Sequence, residues 1–95
     1  MLDLNDVFVL SDNIVLRGVG EKFWALNTKN GNQYRLNEVS YFILDMFRKP
    51  TRIGAMMDSM LSEYRVERNR LEADCDMVIT FAIEKNILEG RVKTL

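Results

Sequence analysis

The sequence predicts an α+β fold, a small three-stranded antiparallel sheet followed by three α-helices. Three observations predict it. Short β-branched and aromatic runs, broken by Asn and Gly, fill the first third of the chain. From Asn37 onward the apolar residues recur at helical spacing. The junction is sharp: Gln33-Tyr34-Arg35-Leu36 reads as a strand, and Asn37-Glu38-Val39 reads as a helix start.

The strands come first in the chain. Val7-Phe8-Val9-Leu10 is a short apolar run closed by Ser11-Asp12-Asn13. Ile14-Val15-Leu16-Arg17 is strand-like and ends at Gly18-Val19-Gly20. Phe23-Trp24-Ala25-Leu26 makes the next strand, and a turn at Lys29-Asn30-Gly31-Asn32 returns the chain along Gln33–Leu36. The loop length sets the register. A two-residue Asn30-Gly31 loop would place Leu26 opposite Arg35 and Trp24 opposite Asn37. A three-residue loop with a left-handed Gly31 pairs Leu26 with Tyr34 and Trp24 with Leu36, which matches apolar to apolar and is the register expected. It puts Trp24, Leu26, Tyr34 and Leu36 against the helices, leaving Phe23, Ala25, Gln33 and Arg35 on the other face. Trp24 is then a core residue.

The first helix is expected to be capped by Asn37, with Glu38 complementing its dipole. Its apolar face is Val39, Phe42, Ile43, Met46 and Phe47, and Arg48-Lys49 precede the terminating Pro50. Thr51 is the expected cap of a second helix with the stripe Ile53, Met57, Met60, Leu61 and Tyr64. Gly54 inside it costs about 1 kcal/mol relative to Ala, so close packing against a neighbour is the reason to keep it. Asn69-Arg70-Leu71-Glu72 has capping-box spacing for a third helix running to about Lys85, with the core stripe Leu71, Cys75, Val78, Ile79 and Ala82. Residues from Arg91 to Leu95 read as a frayed tail. A second apolar line on that helix, Met77 and Phe81 with Leu88 if the turn continues, exceeds what an amphipathic surface helix requires. Either the sheet, the N-terminal run or a dimer mate covers it, or it lines a groove for a peptide.

Composition narrows the function. Ninety-five residues suffice for one domain. A net charge of −1 and a pI near 5.4 oppose a nucleic-acid surface, and the arginines at 65, 68 and 70 alternate with Glu63, Glu67 and Glu72. No apolar run approaches a membrane span, and Met1-Leu2-Asp3-Leu4 lacks a signal peptide's basic start, so a cytoplasmic protein is expected. The chain has no histidine and a single cysteine, Cys75. That removes the usual general base, the commonest zinc ligand and any internal disulfide. Without a phosphate loop or nucleophile elbow either, no catalytic residue, metal site or cofactor is assigned, and a non-enzyme is expected. Cys75 falls on the core stripe, where a thiol acts as a small hydrophobe.

Strands followed by three helices suggest a winged-helix-like arrangement. Ile14-Val15-Leu16-Arg17-Gly18-Val19-Gly20-Glu21, then Tyr34-Arg35-Leu36-Asn37-Glu38-Val39-Ser40-Tyr41-Phe42-Ile43-Leu44, resembles the PqqD-like proteins, as do Leu61-Ser62-Glu63-Tyr64, Asp74 and Ile87-Leu88. The resemblance covers roughly residues 8–89 and rests on order and spacing together. Two departures stand out: Asn86 replaces a usual Gly, and Arg48-Lys49-Pro50 replaces an acidic or Gly turn. The resemblance implies a noncatalytic recognition element that holds the leader of a ribosomally made precursor peptide and delivers it to a modifying enzyme, often a radical S-adenosylmethionine protein. It implies docking by strand addition at the third strand's edge beside the third helix. The residues this assigns are Gln33, Tyr34, Arg35 and Leu36 on the strand, with Asp74, Met77, Val78, Phe81 and Lys85 on the helix. Met77 and Phe81 would give apolar surface; Arg35 and Lys85 would meet acidic leader residues. The rival readings are a winged-helix DNA-binding regulator, testable against random duplex at low salt, and a structural subunit that forms a homodimer through the same sheet edge and helix, testable by sedimentation.

Overall fold

The computed structural model describes residues 3–91. Its elements run β1 (Val7–Leu10), β2 (Ile14–Val19), β3 (Lys22–Asn27), β4 (Gln33–Leu36), α1 (Glu38–Asp45), β5 (Thr51–Arg52), α2 (Ile53–Glu63), α3 (Arg68–Glu84) and β6 (Leu88–Arg91). The expected antiparallel sheet is present in the order β2-β3-β4, followed by the three helices. A second antiparallel sheet, β5-β1-β6, joins the two ends of the chain around Val7–Leu10. Arg91 pairs with Val7 in that sheet instead of fraying, and residues 92–95 lie outside the described residues.

One continuous core unites both sheets and all three helices. Phe8, Leu16, Ala25, Ile43, Phe47, Ile53, Met56, Leu71, Ile79 and Leu88 belong to it. Leu88 lies in β6, nearly fully buried, so it does not extend the line of Met77 and Phe81 on α3.

The β3–β4 register differs from the expected one. Trp24 pairs with Arg35, Ala25 with Tyr34, and Phe23 with Leu36, around a loop of residues 28–31. Asn27 determines this loop. Its side-chain oxygen accepts from the backbone N–H groups of Lys29 (2.9 Å) and Asn30 (3.2 Å) and from Asn13 Nδ2 (2.7 Å). The Gly31 N–H closes the turn on Asn27 O at 2.8 Å with φ +78°, a conformation Gly adopts without penalty. The slip exchanges the faces of β3. Ala25 is fully buried and Phe23 packs on the core, while Trp24 and Leu26 turn outward. Trp24 is therefore half-exposed rather than core. On β4, Tyr34 and Leu36 face inward, and Gln33 and Arg35 outward, as expected.

The helix ends are set by different contacts from those the sequence suggests, except at Asn37 and at the left-handed Asn86. The Asn37 side chain accepts from the Ser40 N–H at 2.7 Å and caps α1. That helix stops at Asp45; Met46, Phe47 and Arg48 continue in tighter turns bonded three residues back, and Arg48 pairs with Asp45. Thr51 is not a cap. It lies in β5 opposite Phe8, and its hydroxyl donates to the carbonyls of Met46 and Lys49. The first amides of α2 are instead met by backbone: Ile53 N–H donates to Asp6 O at 3.0 Å and Gly54 N–H to Leu4 O at 2.9 Å. A Cβ at position 54 would sit 3.2 Å from that same Leu4 oxygen, which is the close approach that keeps a glycine in the helix. α3 begins at Arg68 with no side-chain cap, so Asn69 lies inside it and forms no capping box. Its far end closes as a Schellman turn, with Asn86 N–H on Ile83 O, Ile87 N–H on Ala82 O, and Asn86 left-handed at φ +58°.

Candidate peptide-docking edge

β4 has β3 on one side and no strand on the other among the described residues. The hydrogen bond from Asn27 N–H to Asn32 O at 2.8 Å fixes the phase of the β3–β4 ladder. Bonded pairs alternate with non-bonded ones along an antiparallel ladder. Residues 34 and 36 therefore bond to β3, and the backbone N–H and C=O groups of Gln33 and Arg35 point to the open edge. The edge ends where Asn37 turns the chain into α1.

α3 approaches the inward face of β4. Asp74, Met77, Val78, Phe81 and Lys85 fall at helical spacing along one side of that helix, beside the core stripe of Leu71, Cys75, Ile79 and Ala82. Tyr34 and Phe81 join strand to helix through an edge-to-face contact with centroids 5.8 Å apart. Met77 is 71% exposed, a large apolar side chain with little cover. Val78, Phe81 and Tyr34 are half-buried against the core, Asp74 is half-buried, and Gln33, Arg35 and Lys85 are exposed. Leu36 is only 6% exposed, so its side chain belongs to the core, and its backbone bonds to β3 rather than facing the open edge.

Two features of this region were not anticipated from the sequence. Arg35 lies over the Trp24 ring, its guanidinium carbon 5.4 Å from the centroid. On the opposite flank of α3, an open pocket of about 510 Å³ is lined by Leu4, Ile53, Met57, Asn69, Glu72, Ala73, Cys75 and Asp76. Cys75 is buried, its thiol 3.9 Å from the Met56 sulfur. Burial, then the nearby carboxylates of Asp74 and Glu72, pushes that thiol up to about 12. It stays protonated at neutral pH and is a poor nucleophile. Among the described residues, no group of three or more His, Cys, Asp or Glu side chains is placed to hold a metal ion. No described helix is long and apolar enough to cross a membrane.

The amino-acid sequence of these elements matches a known family. The family model described as Coenzyme PQQ synthesis protein D (PqqD) matches residues 15–88. The chain belongs to the PqqD family. The matched span of this PqqD-family chain contains all of β2 but Ile14, together with β3, β4 and all three helices, and so includes both β4 and α3. No curated protein sequence matches the chain.

Among solved structures, the PqqD-family fold seen here is similar to TbiB1 in complex with the TbiA(beta) leader peptide, with a TM-score of 0.73 and 24% identity over 90% of this chain and 99% of that one. It is also similar to lasso peptide synthetase B1 complexed with the leader peptide, with a TM-score of 0.70 and 22% identity over 86% of this chain and 96% of that one. At these identities the likeness is one of fold.

Proposed function

We propose that this PqqD-family chain is a noncatalytic module that captures the leader of a ribosomally made precursor peptide by strand addition and presents it to a modifying enzyme. The observation that carries this reading is the unpaired edge of β4 beside the exposed Met77 and half-buried Phe81 of α3. Family membership supports it, and so does the fold's likeness to two proteins whose structures hold leader peptides.

In this reading the leader lies along β4. The edge groups of Gln33 and Arg35 offer about four backbone hydrogen bonds, each worth roughly 0.5–1.5 kcal/mol net. Those bonds are blind to sequence, so side-chain contacts must select the leader. Leader residues facing inward meet Met77, Val78, Phe81 and the Tyr34 ring. Met and aromatic surfaces adapt to such residues, and each Å² of apolar area removed from water contributes about 25 cal/mol. Asp74 and Lys85 bracket the apolar segment of α3 and set polarity at its two ends. Arg35 stands on the outward side of the edge, where it meets an acidic leader residue. The module acts in the cytoplasm, where the precursor is made, and a radical S-adenosylmethionine protein is the enzyme class that receives the peptide.

Calorimetry with each short peptide encoded in the reading frames flanking this chain's gene tests the reading. Phe81→Asp keeps its circular dichroism and loses binding by a factor of about 30 or more, because a carboxylate must desolvate against the leader's apolar side chains. Met77→Asp is a second variant that cannot disturb the core, since Met77 is largely solvent-exposed. Unchanged affinity in both would remove the groove.

A further inference from the structure

The sheet face turned away from the helices carries a pattern of which strand addition at the β4 edge uses only Arg35. The registers align Arg17, Trp24 and Arg35 in one row across three strands, with Val15, Leu26 and Gln33 in the next row and Val19 and Lys22 beyond. Arg17, Lys22 and Arg35 are cations, and none of the others on this face is acidic. Val15 is 44% and Val19 61% exposed, and Trp24 and Leu26 are half-buried. The ion pairs among the described residues, Asp45–Arg48 and Arg68–Glu72, include neither Arg17 nor Arg35.

Arg17 and Arg35 stand on either side of Trp24 in this row; the Arg35 guanidinium lies over the indole, and neither arginine is ion-paired among the described residues. Trp and Arg are also the side chains most enriched where binding energy concentrates, and a guanidinium fork matches a carboxylate. We propose that this face is a second docking surface, adjoining the β4 edge at Arg35, for an acidic segment of a protein partner that also bears apolar side chains. Its carboxylates accept hydrogen bonds from Arg17 and Arg35 on either side of Trp24, and its apolar side chains lie on Val15 and Leu26. Charge complementarity selects this occupant. Three cations neutralise too few phosphates for useful nucleic-acid affinity, and α3 presents Glu72, Asp74 and Asp76 elsewhere on the same small molecule. A strand added at β4 would extend the sheet and leave this face open, so peptide and partner could be held together.

Trp24 is the single tryptophan of the chain, so its emission reports this face alone. The probe is a soluble peptide of Glu-Glu-Leu repeats, with Lys-Lys-Leu repeats as the sign-reversed control. The Glu peptide should change the Trp24 emission saturably. Its affinity should fall about tenfold or more when salt rises to about 0.5 M, and as much in the Arg17→Gln/Arg35→Gln double variant. Arg17→Gln alone should weaken the Glu peptide and leave precursor binding unchanged, because Arg17 lies two strands from the β4 edge. Equal binding of the Lys peptide would overturn the proposal. So would tighter binding of an oligothymidylate or of phosphatidylserine-containing vesicles, which would assign the face to nucleic acid or membrane. Loss of precursor binding in Arg17→Gln would merge the two surfaces into one and overturn their separation. Failure of the precursor to bind wild type would sink the edge reading alone.

Discussion

The rings of Tyr34 and Phe81 meet edge to face, their centroids 5.8 Å apart and their planes at 87°. This contact ties the last strand of the β2-β3-β4 sheet to α3. Tyr34→Phe keeps the contact and gives up only a hydroxyl whose partner is the exposed Asn32 side chain at 3.3 Å. Its melting temperature and precursor affinity should match wild type. Tyr34→Ala removes an aromatic pair and half-buried area, a loss of about 2 kcal/mol. Thermal unfolding should then fall by roughly 10 °C, and calorimetry should record weaker precursor binding even at temperatures where the variant is folded.

At the other end of α3, Asn86 holds φ +58° and its carbonyl accepts from the buried Ser11 hydroxyl at 2.8 Å. A left-handed residue with a Cβ costs about 1–2 kcal/mol, less for Asn than for others and nothing for Gly. Asn86→Gly should therefore be neutral or stabilising by up to about 1 kcal/mol in denaturant unfolding. Asn86→Val should be destabilising by about 2 kcal/mol, since a β-branched side chain tolerates this conformation worst. Equal stability of the two variants would contradict the Schellman closure.

Cys75 gives a pH prediction. Its thiol titrates near 12 in the folded chain because it is buried, against an ordinary value of 9.0. Below about 9 both states hold the proton and stability does not depend on this group. Between about 9 and 12 only the unfolded chain releases it, so unfolding becomes easier as pH rises. The slope from this residue is at most about 1.4 kcal/mol per pH unit. Denaturant unfolding from pH 8 to pH 11 should show that decline in wild type and a shallower one in Cys75→Ala. A thiol reagent at pH 8 should label Cys75 only in denaturant.

The sequence made the hairpins, Asn37's cap, the core stripe of α3 and the surplus line of Met77 and Phe81 legible, because each is a local pattern of a few residues. It misled on β3. Phe23, Trp24, Ala25 and Leu26 are apolar on both faces, so alternation could not choose between them, and matching apolar partners favoured a buried Trp24. The register is decided by Asn27, whose buried amide gathers three hydrogen bonds and selects the longer loop. Trp24 is satisfied on the outside by Arg35 instead. The second sheet was equally hidden. β5 is two residues long, and β1 and β6 come from opposite ends of the chain, so no local signal pairs them. Thr51 has the chemistry of a cap, but the carbonyls of Leu4 and Asp6 already occupy that role. At the candidate site the helix face and strand were readable, whereas Leu36's burial depends on the three-dimensional packing.

Amide-resolved NMR, titrating labelled protein with a leader peptide that binds it in calorimetry, tests the docking edge most directly. The account predicts that the N–H groups of Gln33 and Arg35 shift most and become protected from exchange, together with side-chain changes at Met77 and Phe81. Binding that leaves those two amides exchanging freely, with its shifts gathered around the pocket of Leu4, Met57 and Asp76, would contradict it.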